Sequence, residues 1–64
     1  MTYEQLVRFI AKTGRDQYTE LHRQYLNNIP RCNEYVQLPD GSVHLVLAVT
    51  HILSDGSIDV LLRK

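Results

Sequence analysis

Tryptophan is absent from this chain, and cysteine, methionine and phenylalanine occur once each. A single thiol cannot form an intramolecular disulfide, so a disulfide-stapled scaffold is excluded. Three glycines and two prolines are too few for a low-complexity or collagen-like chain, and none of the glycines belongs to a phosphate-cradling loop. Long apolar runs are missing as well. The longest stretch without a charge, Gly41 to Ser54, is shorter than the roughly 20 residues a membrane-spanning helix needs. Glu4 and Arg8 interrupt the segment Met1 to Ile10 where an export signal would be unbroken and apolar. With the unpaired thiol, this sets the expectation of a cytoplasmic protein without a membrane segment.

An excess of either charge is also lacking, with seven basic against seven acidic side chains. Chains that bind nucleic acid chiefly through phosphates usually carry a positive surplus. Here the balance is uneven only in its distribution. Arg8, Lys12, Arg15, Arg23 and Arg31 make the first half basic, while Glu34, Asp40, Asp55 and Asp59 make the second acidic.

What is present is 64 residues, 44% of them hydrophobic, enough for one domain spanning 1–64. A domain of this size buries only about 60% of the surface its unfolded chain exposes, which favours help from a partner chain.

Residues 1–29 read as helical. Thr2 followed by Gln5 is a capping-box pattern. Tyr3, Leu6, Val7 and Ile10, and later Tyr18, Leu21, His22, Tyr25, Leu26 and Ile29, recur at helical spacing. Gly14 reads as a helix stop and Asp16 as the next cap. One continuous helix from Thr2 to Asn28 would be about 40 Å long, against a radius of gyration of about 11 Å for a compact chain of this length, so two helices, or one broken helix, are expected.

Residues 34–64 read as strands. Asp40-Gly41 and Asp55-Gly56 each lie between apolar, β-branched segments, and Asp-Gly favours two-residue hairpin loops. Three antiparallel strands follow, about Glu34 to Leu38, Val43 to Leu53 and Ile58 to Arg63. The loops pair Leu38 with Val43 and Leu53 with Ile58, placing Val36, Leu38, Val43, Leu45, Leu47, Val49, His51, Leu53, Ile58, Val60 and Leu62 on an inner face. The expected fold is α+β: two N-terminal helices packed on a three-stranded antiparallel β-meander.

The outer face of that meander carries Tyr35, His44, Val46, Thr50, Ile52 and Leu61, more apolar than a sheet surface in water needs. These residues are the candidate partner or dimer interface. No catalytic set is expected. Cys32 would need His44 or His51 held beside it, and His22 reads as packing. Cys32 and three histidines match a zinc ligand count on paper, but no paired ligand spacing is present. No metal and no cofactor are expected.

The function these features favour is a small non-catalytic protein-binding module: an adaptor, regulator or inhibitor of a partner protein, of the kind mobile elements use against host defence enzymes, self-associating as a homodimer through the outer sheet face. The alternative is a nucleic-acid binder using the basic half, Arg8, Lys12, Arg15, Arg23 and Arg31, with Tyr18 or Tyr25 stacking on bases and a β-wing.

Overall fold

The computed structural model describes residues 4–63. It is all-β. Five strands follow one another: β1 (Gln5–Gly14), β2 (Gln17–Leu26), β3 (Tyr35–Gln37), β4 (Val43–Ile52) and β5 (Ser57–Leu62). They form one curled mixed sheet in the order β2-β1-β5-β4-β3. Neighbours pair antiparallel except β1 and β5, which are parallel. The expected helices are therefore strands, and the expected meander is part of a larger sheet. Thr2 and Tyr3, invoked in the capping box and the first helical stripe, lie outside the described residues.

The first half misleads for a physical reason. In β1 the residues Val7, Phe9 and Ala11 are buried while Leu6, Arg8 and Ile10 on the opposite face are half-buried. With apolar groups on both faces, the run satisfies a period of 3.6 as readily as a period of two. The β-branched and aromatic content of Val7, Phe9 and Ile10 was the better guide. In β2 only His22 and Leu26 are even half-buried. Its pairing with β1, not an apolar stripe, makes it a strand. Gly14 does end the first element and Asp16 does sit in a break, but Asp16 takes φ 61° in a reverse turn rather than capping a helix.

The concave side of the sheet holds the core, formed by Val7, Phe9, Leu38, Val46, Ile58, Val60 and Leu62, with Leu26, Ile29, Val36 and Val49 against it. β5 is central, and the parallel pairing sets Val7 opposite Ile58 and Phe9 opposite Val60. Residues 27–34 cross from one edge of the sheet to the other and bring Ile29 against the core. Backbone bonds Asn33 N–H to Val46 O and Val46 N–H to Glu34 O, at 2.9 and 2.8 Å, extend the β3–β4 pairing into that crossing.

Both Asp-Gly hairpins exist, with longer loops than expected. A two-residue type I′ loop needs positive φ at both central positions. Only the glycines comply, Gly41 at 93° and Gly56 at 75°. Leu38 N–H instead bonds Ser42 O at 2.8 Å, and Gly56 N–H bonds Ile52 O at 2.9 Å. In each loop the aspartate Oδ1 accepts from the following serine twice. Ser42 and Ser57 both donate from N–H at 2.9 Å and from Oγ–H at 2.6 Å.

The register consequences differ between the two loops. Val36 now faces His44 rather than Leu45, a one-residue slip that turns the first half of β4 over. Val46 points into the core and is fully buried, whereas Val43, Leu47 and Leu53 are exposed. A β-bulge between Val46 and Ala48 restores the phase, so Val49 faces Val60 and His51 faces Ile58. The second loop shifts pairing by two residues, which preserves faces. Ile58, Val60 and Leu62 point inward, on the expected core face.

Candidate binding surface on the outer face and the β2 edge

The convex face is built mainly by β1, β2 and β5. The register places Leu6 opposite Tyr25, Arg8 opposite Arg23, Ile10 opposite Glu20 and Lys12 opposite Tyr18, with Asp59 and Leu61 alongside Arg8 and Ile10. Three of the five basic candidates, Arg8, Lys12 and Arg23, thus share one face with both candidate tyrosines. Arg15 occupies the turn between β1 and β2. Arg31 is remote, in the crossing segment, where its backbone N–H bonds Glu34 Oε1 at 2.7 Å.

Arg8 and Arg23 are like charges directly opposite one another, an unfavourable cross-strand pair, and each has its own carboxylate. Arg8 Nε donates to Asp59 Oδ1 at 2.8 Å and Nη2 donates to Ser57 Oγ at 2.7 Å. Arg23 Nη2 donates to Glu20 Oε1 at 2.8 Å. The hydrogen bond to Glu20, followed by its charge, raises the Arg23 guanidinium further above its already basic range. Among the described residues, Lys12 and Arg15 make no ion pair.

The residues expected to form an interface do not form one patch. Val46 is inside the core, a correction that follows from the slipped β3–β4 register. His44 is half-buried and turned toward the chain end, its Nδ1 donating to Arg63 O at 2.9 Å. Tyr35 lies on the far edge strand and is 71% exposed. Thr50, Ile52 and Leu61 do share the convex face: Thr50 pairs Asp59, Ile52 pairs Ser57 and Leu61 pairs Ala48. The surface missed at the sequence level is β2 itself, ten residues long and at the end of the strand order. Tyr18, Leu21 and Tyr25 are its exposed large side chains. The strand-favouring residues Tyr18, Thr19 and Tyr25 were the available signal.

Two constellations resemble chemistry. Cys32 and His51 line one open cleft of about 690 Å³ beside Ile29 and Arg31, with the thiol exposed. Ser42 Oγ lies 2.9 Å from His44 Nε2, the spacing of a nucleophile and its base. The Asp40 carboxylate, 2.6 Å from the same Oγ, takes the hydroxyl's one proton in its hydrogen bond and would repel an alkoxide, so Ser42 and Asp40 act as a turn lock. No cluster of three metal-ligating side chains occurs among the described residues.

A second cleft of about 550 Å³ opens between β2 and β3, floored by Phe9, Leu26, Val36 and Leu38. The two edge strands bring no Cα atoms within 8 Å of each other, so the curl is not closed into a barrel. Phe9 and His22 stack at its rim, with ring centroids 6.0 Å apart and planes at 23°. Comparison with protein-family models, curated proteins and solved structures finds no match to this chain.

Proposed function

We propose that this chain is a non-catalytic protein-binding module, an adaptor, regulator or inhibitor working in the cytoplasm, that receives its partner along the β2 side of the sheet. The observation that carries the reading is the state of that edge. Natural sheets blunt their edges with short strands, proline, charged side chains or bulges. β2 runs for ten residues with neither proline nor lysine; its charges Glu20 and Arg23 are paired with each other, a single bulge at Leu21 interrupts its pairing with β1 in mid-strand, and Tyr18 and Tyr25 are more than half exposed. A free edge of that length offers main-chain hydrogen bonds to an added strand, and the tyrosines supply amphipathic contact area beside it. The open cleft between β2 and β3 extends the same side.

The test uses the full chain as bait in extract of its native host, beside a Tyr18→Ser/Tyr25→Ser variant. A protein retained at stoichiometric level by the wild type and lost by the variant supports the reading, and equal retention by both removes the edge from it.

One observation favours nucleic acid as a second reading: Arg8, Lys12, Arg23, Tyr18 and Tyr25 share the convex face. Pairing of Arg8 with Asp59 and of Arg23 with Glu20 leaves it little free charge. Retardation of single-stranded RNA or duplex DNA that weakens steeply with salt would move the assignment to this reading.

A further inference from the structure

We infer that the strand received by β2 is the β2 of a second copy, antiparallel about a twofold axis between Leu21 and His22; this rests on the protein-binding reading above and names its partner. β2 carries a bulge. Pairing with β1 shifts between Phe9 opposite His22 and Ile10 opposite Glu20, so Leu21 is the extra residue. Leu21 and His22 turn to the same side, lining one cleft together. On the convex face stand Tyr18, Glu20, Arg23 and Tyr25; on the concave face stand Thr19, His22, Gln24 and Leu26, opposite Ala11, Phe9, Val7 and Gln5.

Opposed residues in an antiparallel pair point to the same side of the sheet. A twofold axis perpendicular to the sheet keeps the convex face convex in both copies. These two conditions select one register. A slide of one residue sets Glu20 against the second copy's His22 or Gln24, convex against concave. A slide of two sets Glu20 against Leu21, or His22 against Arg23, with the same fault. In the remaining register every residue agrees, and the strand matches over its whole length, Gln17 meeting Leu26 at each end. The extra residue Leu21, which would interrupt a ladder with a regular strand, here faces the second copy's His22, so the two bulges lie side by side about the axis.

The chemistry of that register is complementary. Glu20 faces Arg23 of the other copy twice, and Tyr18 faces Tyr25 twice. Each Arg23, now opposed by the like charge of Arg8 and countered by one exposed carboxylate, gains a second. Two short curled sheets become one continuous sheet, and each copy covers the other's exposed edge.

Charge reversal tests the register. Glu20→Arg alone and Arg23→Glu alone both set like charges across the axis. When the two variants are mixed, opposite charges face again across the axis, although the Glu20–Arg23 pair stays broken inside each chain. The expected result is a wild-type dimer at about 100 micromolar by sedimentation equilibrium, association weakened about tenfold or more in each variant, and recovery as a mixed dimer by native mass spectrometry. Hydrogen exchange on the wild type gives a reading independent of variant folding: the β2 amides gain protection as protein concentration rises. A wild type that stays monomeric, or a dimer indifferent to both substitutions, overturns the inference. Neither result touches the host-partner experiment, whose failure is read separately.

Discussion

Arg8 and Asp59 are direct partners across the parallel pairing of β1 and β5, and the guanidinium Nε donates to the carboxylate Oδ1 at 2.8 Å. The pair is about three-quarters shielded, with side chains 27% and 25% exposed. It joins the two ends of the chain at the one place where the sheet is parallel. Ser57 ties it to the second hairpin by accepting from Arg8 and donating to Asp55. The Ser57 side chain therefore has donor and acceptor both occupied, which is how a polar residue only 4% exposed is accommodated.

Removing Arg8 leaves Asp59 half-buried without its partner. Arg8→Met is expected to cost about 1–2 kcal/mol, read as a lower urea midpoint with unchanged slope. Asp59→Leu added to it should recover part of that loss, because the uncompensated charge is then gone. A double-mutant cycle with no coupling would show that the bridge contributes nothing.

The β3–β4 register makes a sharper prediction, since the two possible faces of β4 put different neighbours inside. Val46→Asp buries a carboxylate in the core and is expected to cost about 3 kcal/mol or more, enough to unfold a marginal domain. Leu47→Asp, on the exposed bulge, is expected to stay within about 1 kcal/mol. Circular dichroism melts of the two variants suffice. A folded Val46→Asp beside an unfolded Leu47→Asp would restore the register read from two-residue loops.

That contrast also shows what in the sequence was legible. Asp40-Gly41 and Asp55-Gly56 marked both hairpins, and the alternation in Ile58, Val60 and Leu62 gave the core face of β5, because turn chemistry and period-two burial are local. Loop length was not legible from the dipeptide. The serine after each Asp-Gly was the overlooked signal, since Ser42 and Ser57 lengthen the loops by bonding back to the aspartates. In the first half, Leu6, Val7, Phe9 and Ile10 satisfied helix and strand alike, and only the distant β5 decides between them. The surface candidates suffered most. Val46 was placed outside by a one-residue slip, while Tyr18 and Tyr25, at helical spacing in the sequence, are exposed on the edge.

Gly41 and Gly56 adopt the left-handed conformation, and a Cβ at either would meet nothing within 4 Å. Substitution therefore probes the backbone alone. Gly41→Ala and Gly56→Ala are each expected to cost about 1 kcal/mol, and the asparagine variants less, because asparagine tolerates positive φ. Thermal midpoints measure both series. Equal stability of the alanine variants and the wild type would mean that the turns relax to another conformation.

The same turns predict how the domain responds to acid. Hydrogen bonds from the side chain and then the backbone of Ser42 hold the Asp40 carboxyl below its usual range, and those from Ser57 hold Asp55 below its own. A carboxyl with a depressed folded pKa stabilises the fold above the unfolded value of about 3.9, and that contribution is lost as pH falls through the lower folded value. The melting temperature of the wild type should therefore decline as pH is lowered from about 4 toward 2. Asp40→Asn/Asp55→Asn keeps an acceptor oxygen in each turn but removes the charge. Its melting temperature should lie below that of the wild type at pH 6 and approach it at pH 2, where the wild-type carboxyls are protonated too. A variant whose acid profile runs parallel to the wild type would show that the two turns do not contribute to the acid response.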